Sequence, residues 1–455
     1  MPERREEQAR PSVVRRAAPW GLAAVLAVAV VASLIATGAL WLKERLRMRQ
    51  LAEDLSSPES GRRQRVEAAL LELGDGAEAM LERIVRSAPQ RTRGECERIL
   101  REARRTPRGP VEESLLWLAR HQDSDGSWNP AAFSRHCVGT PCTGPGQAEF
   151  TAGLTGLSLL AFLGAGYSHL SAEMIITPNR PGRVLFFGRV VRKALGWLLE
   201  HQAWDGSIEA GGPRGLINHS IAAQALSEAY GMTASQSLQA PAQRAIDYLV
   251  ASRLSGKGWA TSAGGDESHV ATTGWALLAL MSAEYSDLPF PPTAPKDALA
   301  WVEGLAGPNR PPAEKEIFEN RSTLEAMALL AGFFVRKNKT GFPVDGPRGL
   351  IEDLPEWTAN RIDFVSWHFG ALATFKLDGP KGPIWTHWQG RLQEALFLHQ
   401  RAAPDGCANG SWDPEEDRWG SAGGRIYAVA LNSITLQLYY RYLHVFQAAG
   451  SEGKK

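Results

Sequence analysis

The sequence has almost no net charge, few strand signals and few cysteines. Its 50 Lys and Arg residues balance 49 Asp and Glu residues, which leaves a formal charge of +1. Proteins that bind nucleic acid through its phosphates carry a basic excess, so no nucleic-acid partner is expected. The scarcity of strand signals argues against a β-sheet fold. The four cysteines are even in number, but their pairing cannot be deduced from the sequence, and free buried thiols are an equal alternative.

A short phrase recurs along the chain. Each copy has an aromatic residue and leucine, or leucine alone, at the end of an apolar segment, then a polar residue and a turn that contains Gly. The copies begin at Trp117, Trp197, Tyr248 and Leu398. A repeated phrase indicates a repeated supersecondary unit. Gly ends the helix, Gln can bond carbonyls at the helix end, and Trp covers the turn.

An Ala- and Leu-rich segment follows each copy of the phrase. These segments are apolar nearly all round, which predicts helices that are buried on most sides. They cover residues 153–163, 219–226, 271–281, 321–334 and 425–442. Helices that end in the phrase therefore alternate with buried helices, and this alternation predicts an all-α domain of stacked helical hairpins. In such a domain we expect Gln122, Trp128, Gln202 and Trp412 to be structural.

This pattern resembles the prenyltransferase and squalene-oxidase repeat proteins, a group that includes squalene-hopene cyclases and protein prenyltransferase β subunits. The phrase matches their Q-x-x-x-G-x-W repeat from Gln122 to Trp128 and from Gln202 to Gly206, where Ile208 replaces the Trp. The resemblance covers about 111–446. It implies an α/α toroid of repeated helical hairpins, in which two concentric rings of helices surround a central cavity. It does not by itself fix an activity.

The region before the toroid is expected to anchor the chain. Residues 19–42 carry no charged side chain and are long enough to form a transmembrane helix, with Trp20 and Trp41 at its ends. We expect a single-pass membrane protein with a cytoplasmic tail over 1–18 and an exported toroid; a cleaved signal peptide is the alternative. Periodic apolar residues predict a HEAT-like helical hairpin over 50–105, which packs on the toroid or binds a protein partner. A linker over 106–110 and a disordered tail over 447–455 flank the toroid.

The acids of the cyclases are missing. Those enzymes protonate an alkene with clustered aspartates at the start of a buried helix, and the resemblance places that position at Ala271 and Thr272. Asp266, Glu267 and His269 lie just upstream and are candidate catalytic acid and base residues. The alternative is an ordinary loop that caps the helix. Cyclisation of squalene is therefore not expected.

A metal site is not expected either. Protein prenyltransferases hold zinc with Asp, Cys and His, and Asp405 and Cys407 have the matching spacing. Zinc needs three or four convergent ligands, and the sequence indicates no third one. Cys137 and Cys142 share a loop rich in Gly and Pro. We therefore predict no metal and no cofactor.

An aromatic-rich region is the candidate ligand site. In a toroid such side chains can line the cavity, where aromatic rings and a few polar groups bind a ligand; core packing is the alternative. The candidate ligand-binding residues are His219, Asp363, Trp367, His368, Trp385 and Trp388. We expect a toroid that binds an apolar ligand such as an isoprenoid, or a partner. The alternatives are a non-catalytic interaction scaffold and an active terpene cyclase or prenyltransferase with non-standard acids.

Overall fold

The computed structural model describes residues 93, 109–172, 174–176, 184–306, 321–337, 348–359 and 361–451. The chain divides into two compact units, 1–101 and 102–455. All described residues except Arg93 belong to the second unit. The expected tail over 1–18, the spanning segment over 19–42, and the hairpin over 50–105 apart from Arg93 therefore lie outside the described residues.

The described part of the second unit is mostly helical, which confirms the predicted all-α class. Its helices are α1 (Pro110–Arg120), α2 (Thr151–Gly164), α3 (Phe187–Glu200), α4 (Gly215–Thr233), α5 (Gln236–Ala251), α6 (Val270–Tyr285), α7 (Thr293–Ala306), α8 (Arg321–Arg336), α9 (Arg348–Glu352), α10 (Phe364–Asp378), α11 (Pro383–His399) and α12 (Gly420–Ser451). The last helix therefore extends beyond the boundary expected at 446.

One small sheet interrupts this helical order between α2 and α3. Strand β1 (Met174–Ile176) pairs antiparallel with β2 (Val184–Phe186), and Ile175 lies opposite Leu185. This pair was not predictable from the sequence, because three residues per strand are too few to establish an alternating pattern.

The six even-numbered helices form the core, and each packs against the next. Helix α2 contacts α4, α4 contacts α6, and the series continues through α8 and α10 to α12, which contacts α2 again. We call these the core helices and the odd-numbered ones the flanking helices. The flanking helices pack on the outside of this series: α3 on α2, α5 on α4, α11 on α10, and α1 on α12. The contacts among the core helices are thus cyclic.

Small residues set the spacing between core helices. A Cβ atom placed on Gly156 of α2 would lie 3.0 Å from the Cα of Ala222 in α4, so any larger residue would push the two helices apart. In α4, Ala222, Ala223 and Ala225 are fully buried. This packing follows from the Ala-rich composition that predicted burial on most sides of these helices.

The repeated phrase ends the flanking helices with one geometry. The indole Nε1 of Trp128 donates to the carbonyl oxygen of Leu118 at 2.8 Å, and Trp412 donates to Leu396 at 2.8 Å. Trp259, in the degraded third copy, donates to Leu249 at 2.6 Å. Each carbonyl lies in the last four residues of its helix, where no intrahelical donor is available. The tryptophan is therefore a C-terminal cap as well as a core residue.

The glutamine of the phrase links neighbouring flanking helices. Gln202 Nε2 donates to the carbonyl of Gly206 in its own turn at 3.2 Å and to Pro241 of α5 at 2.9 Å. Gln400 Nε2 similarly donates to Gly410 at 3.1 Å and to Pro110 of α1 at 2.8 Å. Gln therefore bonds the turn and a carbonyl in the N-terminal half of a neighbouring flanking helix, instead of the end of its own helix as the sequence suggested.

No helix in the described part of the chain is long and apolar enough to cross a bilayer. This finding contradicts the single-pass membrane localisation expected from the sequence. The segment over 19–42, on which the expectation rested, lies outside the described residues.

Candidate functional site

A cavity of about 350 Å³ lies among the core helices. Its walls come mainly from α2, α4, α6 and α12, with Val365 contributed by α10. The apolar side chains of the lining are those of Phe150, Leu154, Leu157, Ile217, Ile221, Ala271, Trp275, Val365, Trp419, Ala422 and Tyr427. This volume is near the lower end of the range, about 300–1,000 Å³, that is usual for small-molecule sites.

Two guanidinium groups also border this cavity. Arg214 precedes α4 and Arg418 precedes α12; both are exposed overall, so they lie where the cavity meets solvent. The Arg418 guanidinium lies 5.5 Å from the ring centre of Trp419. The lining of the cavity thus combines apolar side chains with two exposed cations.

His269 is the one predicted catalytic residue that lines the cavity. It caps α6 with its ring Nδ1, which accepts the backbone N–H of Thr272. Burial, with the nearby Arg214 charge, lowers the pKa of His269 to about 4, so its ring is neutral at physiological pH. Asp266 and Glu267 are exposed and do not line the cavity. The structure therefore does not bring the three residues together at the cavity wall.

The predicted ligand-binding residues are buried, but none of them lines the cavity. His219 uses both ring nitrogens: Nδ1 accepts from Ile208 N at 3.1 Å, and Nε2 donates to Ala245 O at 2.9 Å. Trp385 packs edge-on against Phe375, with ring centres 4.9 Å apart. Trp388 packs on Gly370 of α10.

The aromatic segment at the start of α10 packs in the same way. Trp367 lies against Phe364, with ring centres 5.4 Å apart. His368 stacks on Trp275 and places its Nδ1 3.0 Å from the hydroxyl of Thr435. Burial lowers the pKa of His368 to about 3. His368 therefore supports the cavity wall from behind, since Trp275 is the residue that faces the cavity.

A pair of buried carboxyl groups lies behind another part of the wall. Asp363 caps α10 by accepting the N–H of Ser366 at 2.9 Å. Asp417 accepts the N–H groups of Phe364 and Trp419, each at 2.8 Å. Burial raises the pKa of Asp363, and burial together with the Asp363 charge raises the pKa of Asp417 to about 8. Asp417 is therefore largely protonated at neutral pH.

Tyr427 connects this pair with the cavity. Its side chain lines the cavity and is buried beside both carboxyl groups, and this burial and their charges raise its pKa. Sequence reasoning missed Asp417, Tyr427 and the two arginines. Tyr427 lay within a segment predicted to be buried, and the other three lie in loops without periodicity. The nearest signal was the cluster of charged residues that follows Trp412.

Four metal-ligand side chains also converge, away from the cavity. They are His121, Cys137, Cys142 and Cys407, and their ligand atoms all lie within 4.8 Å of one another. The sequence led to a prediction of no metal because it does not connect these residues: His121 belongs to the repeated phrase and lies 286 residues from Cys407.

No protein-family model, curated protein or solved structure matches this chain. The resemblance to prenyltransferase and squalene-oxidase repeat proteins thus rests on the repeated phrase alone. The function has to be inferred from the site itself.

Proposed function

We propose that residues 111–446 form an α/α toroid whose central cavity binds a small amphipathic molecule with an apolar body and an anionic head, such as an isoprenoid phosphate. Two observations support the toroid: the cyclic contacts of the core helices, and the Gln400 side chain that bonds the first flanking helix. The resemblance of the repeated phrase to toroid-forming repeat proteins agrees with both.

The proposal about the ligand rests on the residues that line the cavity. Phe150, Leu157, Ile221 and Trp275 supply an apolar wall that favours a hydrocarbon body. Arg214 and Arg418 supply the donors that a phosphate or carboxylate prefers. The protonated Asp417 behind Tyr427 adds little negative charge that would oppose an anionic head.

The experiment compares two probes that differ only in the head. Dodecyl phosphate and dodecanol are titrated into the purified protein by isothermal calorimetry. We expect the phosphate to bind more tightly, and Arg214→Gln to weaken it about tenfold or more, because hydrogen bonds to charged groups contribute about 1.5–3 kcal/mol. Arg192→Gln is the matched control, since Arg192 bonds the His169 carbonyl outside the cavity.

Three results would contradict the proposal: equal affinity for the two probes, an equal loss of affinity in the Arg192→Gln control, or no binding of either probe. A cavity-filling variant, Ile221→Trp, checks the location. It should abolish binding of the phosphate if the hydrocarbon chain occupies the cavity, and unchanged affinity would place the probe elsewhere.

A second candidate function, acid catalysis in the cavity, is favoured by the Asp363–Asp417 pair. A carboxyl group that keeps its proton near pH 7 can act as a general acid, and Tyr427 lies between it and the cavity. The resemblance places the cyclase aspartates at Ala271 and Thr272, which line the cavity and carry no acid. Incubation with oxidosqualene, whose epoxide oxygen accepts a proton more readily than an alkene does, followed by gas chromatography, tests this function. Cyclic products that Asp417→Asn abolishes would support catalysis, and their absence would count against it.

A further inference from the structure

The loop that follows α1 and the turn that precedes α12 meet at a cluster of three thiols and one imidazole. Cys137 and Cys142 lie in the loop, Cys407 lies in the turn Ala403–Ala408, and His121 directly follows α1. All three cysteines are free and partly accessible, whereas His121 is fully buried. The cluster therefore has an anchored imidazole and thiols that solutes can reach.

The distances match those between the ligands of a tetrahedral metal site. The Nε2 atom of His121 lies 3.5 Å from the Sγ of Cys137 and 3.5 Å from the Sγ of Cys407. Zinc binds Cys sulfur at about 2.3 Å and His nitrogen at about 2.0 Å, so tetrahedral ligand atoms are roughly 3.5–3.8 Å apart. Ligand atoms that all lie within 4.8 Å of one another need only a small contraction to reach this geometry.

The imidazole is held in the tautomer that a metal needs. His121 Nδ1 lies 2.7 Å from the backbone carbonyl of Trp117, which can only accept, so Nδ1 carries the proton and Nε2 presents its lone pair to the thiols. The ring also stacks on the Trp117 indole, with ring centres 4.0 Å apart. A second bond of this type fixes the orientation of most metal-bound histidines.

The second copy of the phrase provides an internal comparison. His201 has the same arrangement, with Nδ1 2.9 Å from the Trp197 carbonyl and its ring stacked on Trp197 at 3.8 Å. The three cysteines that the structure describes all lie in the His121 cluster, and His201 is exposed. The histidine position thus belongs to the repeated unit, and the cysteines distinguish the first repeat.

One sulfur of the cluster also accepts a backbone hydrogen bond. The N–H of Cys142 donates to the Sγ of Cys137 at 3.2 Å, and this bond holds the two cysteines of the loop together beside His121. An odd number of thiols around an imidazole lone pair does not suit a disulfide, which would leave one thiol and the nitrogen unused.

From this geometry we infer that His121, Cys137, Cys142 and Cys407 bind one zinc ion, which ties the first repeat to the last. Four protein ligands leave no open position, so the ion is structural instead of catalytic. Thiolate and imidazole ligands select zinc over magnesium or calcium. The ion joins residues 286 positions apart, where Arg120 also donates to the Asn409 carbonyl at 3.0 Å.

The first test uses the unmodified protein. After expression with zinc and removal of loosely bound metal, elemental analysis should find one zinc per chain. Replacement by Co²⁺ should give intense d–d bands and a thiolate charge-transfer band of a tetrahedral site. The absence of both zinc and these bands, or a disulfide between any two of the three cysteines in non-reduced peptide maps, would overturn the inference.

The second test uses matched variants. Cys407→Ser and His121→Ala should each lower zinc affinity at least tenfold, while His201→Ala and Cys96→Ser should leave it unchanged. If the ligand variants fold poorly, chelator titration of the unmodified protein replaces them: removal of the zinc should lower the melting temperature and should make three further thiols reactive. Full zinc retention in Cys407→Ser, or a melting temperature that the chelator does not change, would reject the site.

Discussion

Replacement of Trp412 by Ala should remove a large part of the stability of the domain. The side chain is fully buried, and its indole N–H bonds the Leu396 carbonyl at the end of α11. Loss of a buried Trp side chain costs about 3–5 kcal/mol, and the unmade hydrogen bond adds about 1 kcal/mol. The expected loss is therefore about 4 kcal/mol or more, against a total of about 5–15 kcal/mol for a typical domain.

Urea unfolding followed by circular dichroism measures this loss, with the midpoint and slope fitted for each variant. Trp412→Phe separates the two contributions, because it keeps most of the ring volume and leaves only the Leu396 carbonyl without its donor, at about 1–3 kcal/mol. Trp204→Ala is the matched control. Trp204 belongs to the second copy of the phrase but is 93% exposed, so its loss should cost less than about 0.5 kcal/mol. Equal midpoints for the Trp412→Ala and Trp204→Ala variants would refute the capping argument.

Two further predictions concern the second repeat. Gly206→Ala should unfold at a clearly lower temperature than the unmodified protein, because Gly206 has a φ of +94° and a Cβ there would lie 2.1 Å from the Arg244 carbonyl oxygen. Gly211 has no atom within 4 Å of such a Cβ, so Gly211→Ala should leave the melting temperature unchanged. Similar melting curves for the two variants would contradict this reasoning. Burial lowers the pKa of His219 from 6.5 to about 4. As the pH falls, His219 therefore takes up a proton in the unfolded chain before it does so in the folded protein. The free energy of unfolding should decrease by up to about 3 kcal/mol between pH 6.5 and 4. His219→Gln should make this decrease shallower in urea titrations at pH 7 and pH 4.5, and an unchanged difference between the two pH values would assign the pH dependence to other groups.

The core helices were predictable because their sequences carry the cause of their burial. The segment predicted over 271–281 lies within α6 (Val270–Tyr285), and that over 321–334 lies within α8 (Arg321–Arg336). A helix that is apolar on all its faces has to be surrounded by other helices. The composition therefore indicates both that a segment is a helix and that it lies in the core. The capping role of Trp128 was predictable for the same local reason, since the phrase contains both the helix end and its cap.

The candidate site was less predictable because its residues come from distant loops. Arg214 and Arg418 border one cavity only after α4 and α12 have packed around it. The aromatic residues of 363–388 did attract attention as a group, but Trp385 and Trp388 fill the space between α10 and its flanking helix. Hydrophobic pattern distinguishes buried from exposed positions, and it does not distinguish a core from a cavity wall.

The cyclic order of the core helices has a consequence for how the chain folds. Most neighbouring core helices are close in sequence, so their contacts can form in any order, whereas the contacts of α12 with α1 and α2 join the two ends of the domain. Closing a loop of 286 residues costs roughly 2 kcal/mol more entropy than closing one of about 40 residues. Without the inferred zinc ion, the seam between the first and last repeats should therefore form last during folding and open first during unfolding. In an amide hydrogen-exchange experiment on chelator-treated protein, α1 and the end of α11 should lose protection before α4 and α6 do.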